Sequence, residues 1–299
     1  VSRRDFLKTC TAGALTLIGV GTGSKALASS GTDGDVPGLL IDVSKCIGCR
    51  ECMKACATTW PLREGDKIVE PPPLNTIDEP TAEVLTYIKD FRYVEGNKEH
   101  FGHVKVQCMH CDEPACASAC PVAALHKSEE GPVLYDASRC LGCRYCMTAC
   151  PFQIPAYNWN NLAPQVRKCW LCKVNIEKGD RTACSVSCPT GATVSGMRSE
   201  LLAEAERRIS AAPDKYENHI YGLNEVGGTS VLYISHVPFE EMGFRTDLTD
   251  RPLPAYTWQA MSKIPGIVVT LGVLLSGVSF YSSRRTRLEN EGNGNQEGV

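Results

Sequence analysis

The chain has 299 residues and a formal net charge of −3. That balance, with no basic stripe interleaved with aromatics, excludes a general nucleic-acid binder. Sixteen of its 17 cysteines lie in a region short of long apolar runs, so the expected cores are small and metal coordination supplies much of the folding free energy.

The N-terminus reads Ser2-Arg3-Arg4-Asp5-Phe6-Leu7-Lys8, then a weakly apolar stretch from Thr9 to Val20, then Ala26-Leu27-Ala28. In that order these are a twin-arginine export motif, its hydrophobic segment and a small-residue cleavage site. Residues 1–28 are therefore expected to be a signal peptide, which accounts for the odd cysteine, Cys10. A cytoplasmic helix that merely begins with two arginines would not explain the ordered set.

The other sixteen cysteines form four groups: Cys46/Cys49/Cys52/Cys56, Cys108/Cys111/Cys116/Cys120, Cys140/Cys143/Cys146/Cys150 and Cys169/Cys172/Cys184/Cys188. A strand at Gly38–Asp42 is expected to lead into the first. The insertion 57–107, with Pro71-Pro72-Pro73, reads as a surface layer or partner contact. The segment Ala124–Asp136, broken at Ser128-Glu129-Glu130-Gly131, reads as a β-hairpin whose second arm, Pro132–Asp136, leads into the third group. Another strand, Ala192–Ser195, follows the fourth. The stretch Lys45–Cys56 recurs almost residue for residue as Arg139–Cys150, and Gly48 and Gly142 let each backbone wrap tightly.

The first and third groups have the spacing C-x2-C-x2-C-x3-C, which brings soft thiolates to one iron–sulfur cube and sends the last to a neighbouring one. Sixteen thiolates at four per cube make four 4Fe–4S clusters. Pairing the second group with the third and the first with the fourth would give ligand sets Cys46/Cys49/Cys52/Cys188, Cys56/Cys169/Cys172/Cys184, Cys108/Cys111/Cys116/Cys150 and Cys120/Cys140/Cys143/Cys146. Spacing alone leaves the other pairing open. Disulfides fit poorly with cysteines two residues apart. Zinc is the stronger competitor, but zinc sites seldom place four thiolates within eleven residues twice over.

Lys45, Arg50, Arg139, Arg144 and Lys168 would raise cluster potentials if close, or else pair with surface carboxylates. His110 and Trp170 read as packing residues, and His126, His219 and His236 as structural or surface. No P-loop, dinucleotide fingerprint or nucleophile elbow is present, so no catalytic residue is assigned and the expected role is conduction.

After the clusters, Glu200–Ser210 has the spacing of a solvated helix, and Gly227–Ser235 reads as a loop entering a strand. Ile264–Ser283 carries no charge; at ~1.5 Å per residue it reaches about 30 Å, a bilayer's hydrocarbon thickness. Arg284, Arg285 and Arg287 follow and place that end in the cytoplasm, with Glu289–Val299 a disordered polar tail. The expected organisation is a four-cluster domain at 29–199, a membrane-proximal extension at 200–261, a transmembrane helix at 262–283 and a cytoplasmic tail at 284–299.

The four groups, with x4 in the second and an eleven-residue gap in the fourth, resemble the four-cluster iron–sulfur subunits of membrane-bound respiratory oxidoreductases. The resemblance spans roughly Leu40–Gly196. It implies an α+β fold of duplicated bacterial-ferredoxin type with four 4Fe–4S clusters, to which this chain adds one C-terminal transmembrane helix. It also implies the crossed pairing written above. The signal, the anchor and Tyr221-Gly222 followed by Glu225-Val-Gly-Gly-Thr-Ser-Val-Leu-Tyr233 look most like HybA-type subunits of periplasmic-facing nickel–iron hydrogenase-2. That similarity implies a non-catalytic relay on the periplasmic side of the inner membrane, between hydrogenase catalytic subunits and an integral membrane quinone-reactive subunit. The alternative is the beta subunit of a formate dehydrogenase or another molybdopterin oxidoreductase. Cys56 departs from the pattern, being followed by Ala57 where the other groups carry proline.

Overall fold

The computed structural model describes residues 35–64, 66–159 and 166–294; the expected signal peptide, with Cys10, lies outside the described residues. In chain order the strands are β1 (Pro37–Asp42), β2 (Leu62–Glu64), β3 (Lys67–Val69), β4 (Thr86–Glu95), β5 (Lys98–Gln107), β6 (Leu125–Lys127), β7 (Val133–Tyr135), β8 (Ala156–Tyr157), β9 (Val166–Arg167), β10 (Thr193–Met197) and β11 (Val231–Ile234). The helices are α1 (Glu51–Thr59), α2 (Ala115–Ser118), α3 (Tyr145–Ala149), α4 (Lys173–Glu177), α5 (Ala183–Val186), α6 (Arg198–Ala211), α7 (Leu253–Met261) and α8 (Ile264–Gly294).

The central sheet runs β10-β1-β11, with β1 antiparallel to β10 and parallel to β11. β1 is covered on both faces, which explains its unbroken run of buried Gly38, Leu39, Leu40, Ile41 and Asp42. Leu39 and Ile41 face the main core with Met53, Ile88, Val104 and Val231. Leu40 faces α6 and packs with Leu201, Ala205, Leu232 and Ile234. Close approach of the parallel neighbour also explains Gly38, where a Cβ would lie 2.3 Å from the carbonyl oxygen of Ser230. Gly38→Ala is expected to cost about 1–3 kcal/mol of overpacking, read as a lower thermal midpoint of the cluster-loaded protein; an unchanged midpoint would show that the two strands separate freely.

The expected strands at 38–42 and 192–195 and the hairpin at 124–136 are present, the last as β6 against β7. Three expectations are corrected. The insertion is no surface layer: its β4–β5 hairpin buries Ile88, Phe91 and Val104 in the main core. The helix after the clusters is not wholly solvated, because Leu201 and Ala205 are buried against the sheet. β11, assigned by sequence to a membrane-proximal extension, pairs directly with β1.

A buried charge fastens α6 to β1. Asp42 is fully buried and accepts from Arg208 Nη1 at 3.0 Å, Tyr216 OH at 3.0 Å and Ser44 Oγ through its other oxygen at 2.7 Å. Glu204 brackets Arg208 from one turn earlier on α6.

α7 and α8 leave the body as a helical stretch, Leu253–Leu288, whose most apolar 18-residue window has a mean hydropathy of 1.9 and nothing buried. By length and composition it can cross a membrane. α8 continues past Ser283 to Gly294 where a disordered tail was expected from Glu289. No glycine or proline interrupts Val278–Glu291, so nothing in the sequence breaks the helix.

Candidate metal centres

The repeat seen in the sequence is a structural repeat. Each run begins with a 3-10 turn, Val43–Lys45 in one and Ala137–Arg139 in the other, following Asp42 and Asp136. Gly48 and Gly142 then take φ values of 67° and 69°, and Arg50 and Arg144 take 60° and 64°. These left-handed residues curl the backbone so that successive cysteines point inward before the helices, α1 and α3, begin. Behind Gly48, the His103 ring lies where a Cβ would sit 2.7 Å away. His103 Nδ1 meets Asp90 at 2.6 Å, and Asp90 accepts from Arg50 at 3.0 Å. Gly48→Ala is therefore expected to empty the adjacent site in part, measured as iron per chain; full loading would show that the loop tolerates a side chain.

The sixteen sulfurs fall into four neighbouring sets. In site I, Cys46 lies in the field of Cys188 and Cys49, and Cys52 in that of Cys46 and Cys49. In site II, Cys56 is influenced by Cys169, Cys184 and Cys172. In site III, Cys111 is influenced by Cys150, Cys108 and Cys116. In site IV, Cys146 is influenced by Cys120, Cys140 and Cys143. Pockets lined by Cys46/Cys49/Cys52/Cys188 and by Cys56/Cys169/Cys172/Cys184 mark the first two sites. Electrostatic influence links the sets in a row: Cys184 acts on Cys52, Cys108 on Cys169, and Cys146 on Cys116. Site II is wholly buried, whereas Cys49 at one end of the row and Cys143 at the other are exposed.

Burial pushes the thiols of Cys52, Cys116 and Cys169 up to about 12, and that of Cys150 to about 11. Such sulfurs become thiolates only when a cation compensates them, which is what coordination provides. Backbone N–H groups already point at sulfur, from Ala124 to Cys120 at 3.2 Å, Leu171 to Cys169 at 3.3 Å and Gly142 to Cys140 at 3.4 Å. Two lysines are also buried beside the row. Lys105, 1 % exposed, donates to Gln107 Oε1, and Lys168, 2 % exposed, to the carbonyls of Val133 and Cys169. Among the described residues no carboxylate pairs with either, a buried positive charge that an anionic cluster would balance. All-sulfur donor sets, inward N–H groups and unpaired buried cations together fit iron–sulfur cubes.

The remaining candidates are structural. His110 is buried and its Nδ1 accepts from the Val133 N–H at 3.0 Å; burial and then Lys168 hold its pKa well below the usual imidazole value. Trp170 stacks on Trp60 with ring centroids 5.7 Å apart. His219 bonds Glu225 at 2.7 Å, His236 meets the edge of Tyr93, and His126 is exposed. Lys45 bonds Asp42 and Arg139 bonds Asp136, while Arg144 lies over Tyr157 and Trp159. Lys105 and Trp60 escaped the sequence reading; the only signal for Lys105 was a lysine two residues from a glutamine at the end of a strand.

Residues 101–198 match the model of the 4Fe-4S dicluster domain family. A protein of Nitratidesulfovibrio vulgaris is 36% identical over 97% of this chain and 80% of its own length. The hydrogenase-2 operon protein HybA of Escherichia coli O157:H7 is 34% identical over 81% of this chain and 83% of its own length. The iron–sulfur subunit of the nitrate-inducible formate dehydrogenase of Escherichia coli is 36% identical over 66% and 67%. The chain belongs to the family of iron–sulfur subunits of respiratory oxidoreductases. Family members therefore share the ferredoxin-like domain of mixed helix and strand, and the dicluster match covers sites III and IV and most of site II.

Proposed function

We propose that this chain is the non-catalytic electron-transfer subunit of an extracytoplasmic respiratory complex, with four 4Fe–4S clusters in the row of cysteine sites. The observation that carries the reading is the division of sixteen sulfurs into four sets that neighbour one another end to end. Cys46, Cys49, Cys52 and Cys188 would hold the first cluster; Cys56, Cys169, Cys172 and Cys184 the second; Cys108, Cys111, Cys116 and Cys150 the third; Cys120, Cys140, Cys143 and Cys146 the fourth. Bound clusters supply one-electron redox chemistry. The chain fixes their spacing, keeps water from the inner sites and leaves a sulfur exposed at each end for partners.

The site IV end is read as the membrane end. α7 packs against α2, which carries Cys116 of the neighbouring site III, and Leu253 shares a cleft with Met147 and Thr148 of α3, the helix that carries Cys146 of site IV. Leu141, Tyr145 and Trp159 are exposed beside Cys143, at 72 %, 63 % and 65 %, an apolar face suited to an integral membrane quinone-reactive subunit. The Cys49 end would then meet the catalytic partner. Residues 1–28 serve as the twin-arginine signal, 29–199 with β11 as the four-cluster domain, 262–283 as the span, and the arginines that follow keep the C-terminus inside.

The HybA relatives favour a hydrogenase catalytic module as electron donor. A formate dehydrogenase iron–sulfur subunit of Haemophilus influenzae, 32% identical over 81% of this chain, supports a molybdopterin enzyme as the second reading. Anaerobic purification with iron, sulfide and EPR analysis tests the wire: four irons per site and reducible spectra are expected, and zinc in place of iron would end it. Deletion of the gene separates the donors, since loss of hydrogen-dependent quinone reduction is expected and loss of formate oxidation alone would favour the second reading.

A further inference from the structure

We propose that Lys105 is the fixed charge that sets the potentials of sites I and II together, an assignment that rests on the four-cluster reading above. The residue occupies the cluster-facing side of β5, opposite Ile88 of β4. Its side chain is enclosed and its ammonium donates to Gln107 Oε1, whose amide nitrogen has no partner of its own. Among the described residues no carboxylate reaches it, so its charge is uncompensated within the protein. The sulfurs of Cys184, Cys52, Cys169 and Cys56 all lie within range of its field. One of those sulfurs belongs to site I and three to site II. Lys105 also lines the pocket ringed by Cys46, Cys49, Cys52 and Cys188.

A cation at a junction acts on both neighbours. Each cluster that takes an electron gains one unit of negative charge, and a nearby cation in low dielectric favours that gain. Removing it should make reduction harder chiefly at sites I and II and leave site IV, at the far end of the row, alone. Site IV serves as the internal control, its arginines, Arg139 and Arg144, being exposed; site III does not, because the field of Lys105 extends to His110 between Cys108 and Cys111.

The experiment is an EPR-monitored redox titration of the full, cluster-loaded chain, with iron and sulfide assayed on each sample. Lys105→Met is expected to shift two of the four reductive transitions clearly to more negative potentials, a third less, and to leave the fourth unmoved. Lys105→Arg, which keeps the charge, is expected to restore them. Gln107→Glu, which places an anion on the amine one residue from Cys108, is expected to move the same three transitions in the same direction and again to leave the fourth unmoved. Four unchanged transitions, or four that move together, would overturn the proposal. So would a Lys105→Met variant that fails to load iron alongside a Gln107→Glu variant that loads fully with unchanged potentials, or failure of both to load, since either makes the lysine an assembly residue. A wild-type chain short of four irons per site would instead defeat the four-cluster reading on which the proposal stands.

Discussion

Replacing Cys169 by alanine is expected to abolish electron transfer across the chain. Cys169 is buried at the join of the two halves of the row, influenced by Cys108 of the next site and by Cys184 of its own. Leu171, Trp170 and Trp60 line the pocket around it, which hinders water from replacing a missing sulfur. Loss of a group that merely orients a ligand costs about 10–100-fold, so loss of the ligand itself is expected to exceed that range. Donor-driven quinone reduction should fall accordingly in the assembled complex, with iron per chain reduced by no more than one site's worth. Wild-type turnover in a variant that has lost site II iron would remove this site from the path.

The second large effect concerns the fold. Asp42→Ala would leave Arg208, whose side chain is 13% exposed, with Glu204 but without its partner on β1. Loss of a partner by a buried polar group costs about 1–3 kcal/mol, and Tyr216 and Ser44 also lose their acceptor. Asp42 immediately precedes the turn into Cys46, so the damage is expected to reach site I as well. Thermal bleaching of the cluster chromophore should occur well below the wild-type midpoint. Asp42→Leu with Arg208→Met, which removes both charges, is expected to recover much of the loss. A single variant as stable as wild type would show that α6 is held by its apolar face alone.

Much of the site was legible because cluster ligation is written in local spacing. Three thiolates two residues apart can close on one cube only if the backbone curls, and Gly48 and Gly142 declared that curl in the sequence before their φ angles displayed it. The strands at Gly38–Asp42 and Ala192–Ser195 and the hairpin at Ala124–Asp136 were legible for the same reason, being short apolar runs bounded by turn residues. The β4–β5 hairpin was not. Its alternation of polar and apolar residues reads as one solvated face, yet Lys105 and Gln107 line the pockets of the cysteine sites, and Val104 on the opposite face fills the apolar core. A face turned toward anionic clusters takes the same residue types as a face turned toward water, so pattern alone cannot separate them. Lys168 was visible as a basic neighbour of Cys169, but its burial was not.

The sequence by itself determined the donor chemistry, the two related cysteine runs and an uncharged segment long enough to span a bilayer, because each depends on residues within one or two turns of chain. Tertiary structure decided which sulfurs face one another, the order of the four sites, the burial of Lys105 between two of them and the docking of β11 on β1. Those outcomes join residues separated by tens to more than a hundred positions, and they follow from how layers pack and exclude water rather than from any local preference of the backbone.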